Sequence, residues 1–187
     1  MKTPALPVLI SLLVSFTAFA AETSVTLKHV HLCCTECVRG VERSLKGLEG
    51  VTMTADKDAE TVTLTGASQP ALQRAADAMA AGGYFGVSDK LEIKPVAQTG
   101  SKGKMVQSII VTGAHMCCGG CAKAVDRAIK KTPGATGHTA KKNSVTFFVN
   151  GNFNDRTFFE ALQSEGLSGK ITTVAAPEPA PEKSKDH

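Results

Sequence analysis

The chain has 187 residues, 42% of them hydrophobic and 20% charged, with 17 Gly, 8 Pro, 6 Cys, one Tyr and no Trp. That is the composition of one or two small globular domains, and it excludes a wholly disordered, collagen-like or many-spanning chain. A net charge of +4, from 21 basic against 17 acidic residues, is too small to mark a nucleic-acid binder, and one Tyr without Trp offers no base-stacking surface.

Residues 1–20 read as a signal peptide: Lys2, an apolar run from Leu6 to Phe19, then the small-residue cleavage pattern Ala18-Phe19-Ala20. The run falls short of the roughly 20 apolar residues that a membrane span needs. The expectation is therefore a chain that begins at Ala21 and is exported. It would be periplasmic in a Gram-negative-type cell and secreted otherwise, with no stable membrane insertion after cleavage.

A strand is expected over residues 24–31, where Val25 and Leu27 share a face. Cys33-Cys34-x-x-Cys37 follows, running into a helix over 36–47 whose Val38, Val41 and Leu45 recur at helical spacing. Two short Thr- and Val-rich strands, 51–55 and 60–65, flank the turn Asp56-Lys57-Asp58. A helix over 69–81 starts after Ser68 and stops at Gly82-Gly83. A last strand over 86–94 closes the first domain, 24–94. Residues 95–104, PVAQTGSKGK, lack periodicity and read as a linker. The second domain, 105–174, repeats the order: strand 106–114, Cys117-Cys118-x-x-Cys121, helix 119–131, strands 135–140 and 144–149, helix 154–165 and strand 170–174. The end, 175–187, is rich in Pro, Glu and Lys and is expected to be disordered.

The repeat is explicit. The second cysteine cluster lies 84 positions after the first, and His31-Leu32 recurs as His115-Met116. Val38, Val41 and Leu45 recur as Ala122, Val125 and Ile129; after a one-residue slip, Val62-Thr63-Leu64 is matched with Val145-Thr146-Phe147. Two copies of strand–helix–strand–strand–helix–strand predict an α+β protein made of two ferredoxin-like βαββαβ domains. Each would be a four-stranded antiparallel sheet with two helices on one face.

A Cys-x-x-Cys pair that ends a strand and opens a helix sits where free N–H groups and the helix dipole favour a thiolate. Two such sulfurs converge on one soft or borderline ion: Cu(I), Zn(II), Hg(II) or Cd(II). Both loops resemble the heavy-metal-associated domain family, whose pattern is a strand ending Gly-Met-x-Cys-x-x-Cys. That resemblance covers nearly all of the two repeats and implies the βαββαβ fold. It implies that Cys34 with Cys37, and Cys118 with Cys121, hold the metal. It also implies that Leu32 and Met116 pack inward and that Tyr84, after Gly82-Gly83, is an aromatic residue beside the metal loop; the second copy has Leu167 there.

Both copies depart from the family pattern in the same two ways: an extra cysteine, Cys33 or Cys117, precedes the pair, and His31 or His115 replaces the usual Gly. The extra sulfur adjoins the first family cysteine, so a three-thiolate site is open to each loop, and an inward turn of the histidine would make it Cys₃His. The remaining histidines, His29, His138 and His187, and the scattered Met53, Met79 and Met105, read as strand, tail, packing or surface residues.

Two other readings stand beside metal binding. Structural disulfides within one cluster would close tiny loops and restrain the unfolded chain little. An exported thiol–disulfide oxidoreductase also uses Cys-x-x-Cys at a helix start, but the adjacent third cysteine would scramble its disulfide. The reading preferred from sequence is a non-enzymatic metallochaperone or scavenger. It would hold two ions per chain, one per loop, with Cu(I) as first choice, for transfer to a metal transporter or metalloprotein acceptor.

Overall fold

The computed structural model describes residues 22–173. The expected signal peptide, 1–20, and tail, 175–187, lie outside the described residues. The first copy contains β1 (Thr23–Lys28), α1 (Thr35–Ser44), β2 (Val51–Asp56), β3 (Thr61–Gly66), α2 (Gln69–Ala81) and β4 (Val87–Ser88). The second contains β5 (Met105–Thr112), α3 (Gly119–Lys131), β6 (Ala135–His138), β7 (Thr146–Asn154), α4 (Asp155–Ser164) and β8 (Lys170–Thr173). The sheets run β2-β3-β1-β4 and β6-β7-β5-β8, with every pairing antiparallel. These are two ferredoxin-like domains. No helix among the described residues is long and apolar enough to cross a membrane.

Alternation builds each sheet. In β1, Val25 and Leu27 point into the core and pair with Leu64 and Val62 of β3, which are also fully buried. The helices lie over that face: α1 contributes Cys37 and Val41, and α2 contributes Leu72, Ala75, Ala76 and Met79. In the second copy, Ile109 and Val111 face Val149 and Phe147 across β5 and β7, under Val125, Phe158, Phe159 and Leu162. Each copy therefore has its own core.

Three expectations need correction. The strand expected over 86–94 is only two residues long, because Ser88 Oγ donates to Lys90 O at 2.8 Å and accepts from Lys90 N at 3.1 Å. That local turn takes the backbone groups a ladder would use. The inter-repeat match also shifts: Val62 opposes Leu27, while Phe147, not Val145, opposes the equivalent Val111. A shift of two residues leaves side-chain parity unchanged, so alternation could not reveal it. Val145 is 82% exposed and outside the strand. Lastly, β7 extends to Asn154, with Gly151 at φ 133 packed on Gly134 where a Cβ would overlap backbone.

The segment 95–104 has no regular structure, yet it is strapped to both copies. Val96 N donates to Asp77 Oδ1 of α2 at 2.8 Å. Lys102 N and Lys104 N donate to the buried Asp155 carboxylate at the start of α4, at 2.9 and 3.0 Å. Between the straps the copies touch directly. Tyr84 and Leu167 form an antiparallel bridge; Phe85 N donates to Gly166 O at 3.0 Å and Ser168 N to Gly83 O at 2.9 Å. These two bonds join equivalent positions in reciprocal fashion, so the copies face each other across an approximate two-fold axis, as in an isologous dimer.

Candidate metal centre

The two-fold axis brings both cysteine loops to one place. After β1 the chain turns at His29, whose φ is 58°, and after β5 at Gly113, φ 72°. His29 is thus a turn residue, not the strand residue expected. Beyond the turn, Val30 and Leu32 in the first copy and Met116 in the second plug inward, as the family resemblance implied for Leu32 and Met116. The next residues are therefore held at the surface of the core. Cys34 and Cys118 then occupy the N-cap positions of α1 and α3 with extended backbones and no side-chain cap bond. Their sulfurs stand at the positive ends of the two helices. One turn on, Cys37 and Cys121 are fully buried.

None of the six cysteines is bonded to another. Within each loop, the sulfurs of Cys34 and Cys37 lie 3.8 Å apart and those of Cys118 and Cys121 3.9 Å apart. Contacts between copies are as close: Cys33 to Cys118 is 2.8 Å, Cys34 to Cys117 3.3 Å, Cys37 to Cys117 3.4 Å and Cys33 to Cys121 3.9 Å. Two groups of four sulfurs lie within 4.8 Å of one another: Cys33, Cys117, Cys118 and Cys121, and Cys33, Cys34, Cys37 and Cys117. The sulfurs of the two loops, expected to serve separate sites, thus lie together in one cluster to which both copies contribute.

The protons on this centre are unevenly held. Burial opposes ionisation of Cys34, but hydrogen bonds from Cys117 and from the backbone N–H groups of Cys37 and Glu36 outweigh it and bring the thiol below its usual range. Cys33 and Cys117 are pushed up, first by burial and then by neighbouring sulfurs. Cys37 and Cys121 shift in opposite directions, Cys37 upward and Cys121 downward, because neighbouring sulfurs and burial act on both and only one of two close thiols ionises readily. A cation entering here displaces thiol protons, so its uptake depends on pH.

His31 and His115 are not among the four-atom groups, which contain cysteines alone. The Nε2 atoms of His31 and His115, the Tyr84 hydroxyl and Ser168 Oγ are buried without a hydrogen-bond partner among the described residues. Burial holds His115 below the ordinary imidazole range. Tyr84 does border the centre, but across the two-fold: its ring lies 4.6 Å from that of His115 in the other copy. Sequence reasoning missed the residue that admits it. Gly40 of α1 has no side chain where a Cβ would overlap the Tyr84 hydroxyl. The signal was present, since the second copy pairs Ala124 with Leu167 where the first pairs Gly40 with Tyr84.

No family model and no curated protein matches this chain. Among solved structures, the N-terminal soluble domains of Bacillus subtilis CopA align at 18% identity over 82% of this chain and 95% of that one, with a TM-score of 0.30. The first two RRM domains of yeast poly(U)-binding protein (Pub1) align at 13% identity over 82% and 100%, with a TM-score of 0.27. Neither carries an argument at such scores; the fold rests on the strand order and pairing above.

Proposed function

We propose that this protein is an exported carrier that captures a soft metal cation between its two copies and passes it to an acceptor, a metal transporter or a metalloprotein. The supporting observation is the convergence of six cysteine sulfurs, drawn from loops 84 positions apart, into two groups of four within 4.8 Å. Thiolates select soft and borderline ions. The exported compartment rests on the signal-like residues 1–20.

Cu(I) is the first-choice cargo. It binds two or three sulfurs, so an incoming acceptor cysteine adds before another leaves, and a surplus of neighbouring thiolates eases that exchange. A second reading, a divalent ion such as Zn(II), Cd(II) or Hg(II), is favoured by the groups of four, which suit tetrahedral coordination. Thiol–disulfide catalysis fits less well. A Cys34–Cys37 disulfide would form with Cys33 and Cys117 sulfurs only 3.5 and 3.4 Å from Cys37, ready to attack it.

The test is elemental analysis of protein isolated anaerobically from its native compartment, with a free-thiol count and an insulin-reduction assay. Bound soft metal, six alkylatable thiols after its removal and no reduction above that of free dithiol support the carrier. Metal-free protein that refuses Cu(I) and Zn(II), or turnover lost in Cys37→Ser, overturns it.

A further inference from the structure

The two four-sulfur groups are not independent. Both contain Cys33 and Cys117; only the remaining pair differs, Cys118 with Cys121 in one and Cys34 with Cys37 in the other. The two-fold axis exchanges Cys33 with Cys117, Cys34 with Cys118 and Cys37 with Cys121, so each group is the image of the other. Resting on the metal-carrier reading, we propose that the six cysteines close around two divalent thiophilic cations as one dinuclear cluster. Cys33 and Cys117 bridge both ions, and each Cys-x-x-Cys pair supplies the two terminal thiolates of one ion.

Geometry, charge and placement agree. At a zinc–sulfur distance of about 2.3 Å, the sulfurs of a tetrahedral site lie about 3.8 Å apart. Apart from Cys33–Cys118, the close sulfur separations run from 3.3 to 3.9 Å. Two separate four-thiolate sites need eight thiolates and carry −4 with divalent ions; sharing two sulfurs brings this to six thiolates and −2. The N-termini of α1 and α3, at Cys34 and Cys118, lie against that residual charge. The extra cysteine thereby gains a role that neither copy could give it alone. A bridge needs the other half, and for that reason the departure from Cys-x-x-Cys occurs in both copies at the same place.

The first ion engages both copies, deprotonates both bridging sulfurs and assembles half of the second site. Binding of the second is then favoured, and loading locks the two copies together.

The experiment is anaerobic titration of the reduced protein with ¹¹³Cd(II), read by native mass spectrometry, cadmium-edge X-ray absorption and ¹¹³Cd NMR. The bridged cluster gives two ions per chain, little one-ion species, four sulfurs around each ion and two mutually coupled resonances. Four sulfurs around each of two ions demand eight bonds from six cysteines, which requires two bridges. Three sulfurs per ion, or one ion per chain, overturns the bridged cluster while leaving metal binding standing; no uptake at all overturns the carrier reading itself. Cys33→Ala, at an exposed position outside the core, should displace both resonances, whereas Cys34→Ala should displace mainly one. Far-UV circular dichroism confirms that each variant is folded. A resonance that stays in place in folded Cys33→Ala contradicts the proposal.

Discussion

The two copies share one backbone plan and fill it with different side chains. The first packs Ala75 and Ala76 of α2 on its sheet where the second, counted back from the ends of the helices, packs Phe158 and Phe159 of α4. The first places Tyr84 against Gly40; the second has Leu167 and Ala124 at the equivalent positions. The second ties α3 to α4 through Glu165, which accepts from Arg127 and, at 2.6 Å, from Lys131; the first has Gly82 there. In the cysteine loops the donors are matched one for one: His31, Cys33, Cys34 and Cys37 recur as His115, Cys117, Cys118 and Cys121, while Leu32, Thr35 and Glu36 become Met116, Gly119 and Gly120. Cores tolerate volume exchange provided the total is conserved, whereas a centre built by two halves around an axis requires the same donors from both.

The largest effects should come from testing that equality. Cys34→Ser/Cys37→Ser and Cys118→Ser/Cys121→Ser each remove two sulfurs and leave one complete group of four. Both variants should keep one divalent ion per chain, with equal affinities measured by chelator competition. A difference beyond about tenfold, or 1.4 kcal/mol, would show that the two halves do not hold their ions equally.

Next comes the exchange of Gly40 and Tyr84. Gly40→Ala puts a methyl group into the Tyr84 hydroxyl and should cost about 1–3 kcal/mol by overpacking, despite the better helix propensity of Ala. Combining it with Tyr84→Leu copies the second repeat and should recover much of that loss. Urea unfolding of the two single variants and the double variant gives the coupling directly. Additive losses would mean that the two positions do not compensate each other.

The tie at Glu165 should matter less. Its carboxylate is 7% exposed and its partners are half-exposed, and the two cations hold it below the usual carboxylate range against the effect of burial. Glu165→Gln should lower stability by about 1 kcal/mol. Since the folded carboxyl is depressed, its contribution is present at neutral pH and fades as pH falls through that depressed value. The wild type should therefore lose its advantage over Glu165→Gln in acid, and a constant difference from pH 7 to pH 3 would contradict the assignment.

The fold was legible in the sequence because each copy repeats the same punctuation. Ser68 and Gly82 bound α2 as expected, and the pair of cysteine clusters set the starts of α1 and α3. The short β4 was not legible, since Ser88 and Lys90 close a local turn that composition does not distinguish from strand. In the centre, the ligand types could be read but their partnership could not. Each loop looked complete with its own three cysteines. Convergence depends on how Gly83 and Gly166, both at positive φ, let the copies approach: a Cβ on Gly83 would meet His115 N at 2.5 Å, and one on Gly166 would overlap the backbone around His31. No periodicity within one repeat records a contact between two.

Tyr84→Phe should give the smallest effect, and it separates two uses of the ring. The hydroxyl is buried and has no hydrogen-bond partner among the described residues. Burial, followed by the nearby Cys37 and Cys117, holds its ionisation above the phenolic range; it remains a neutral O–H able to donate. If the ring serves only to fill the space above Gly40 and to stack on His115, the phenylalanine keeps both contacts. The metal-free protein should then be unchanged or more stable by up to about 1 kcal/mol. If the hydroxyl turns to a thiolate once a cation has drawn the protons from the cysteines, the variant should match wild type when metal-free but release metal faster when loaded. Unfolding curves on the reduced metal-free protein and chelator-driven release from the loaded protein distinguish the cases. A metal-free variant weaker than wild type by more than about 1 kcal/mol would show that the hydroxyl already has a partner in solution.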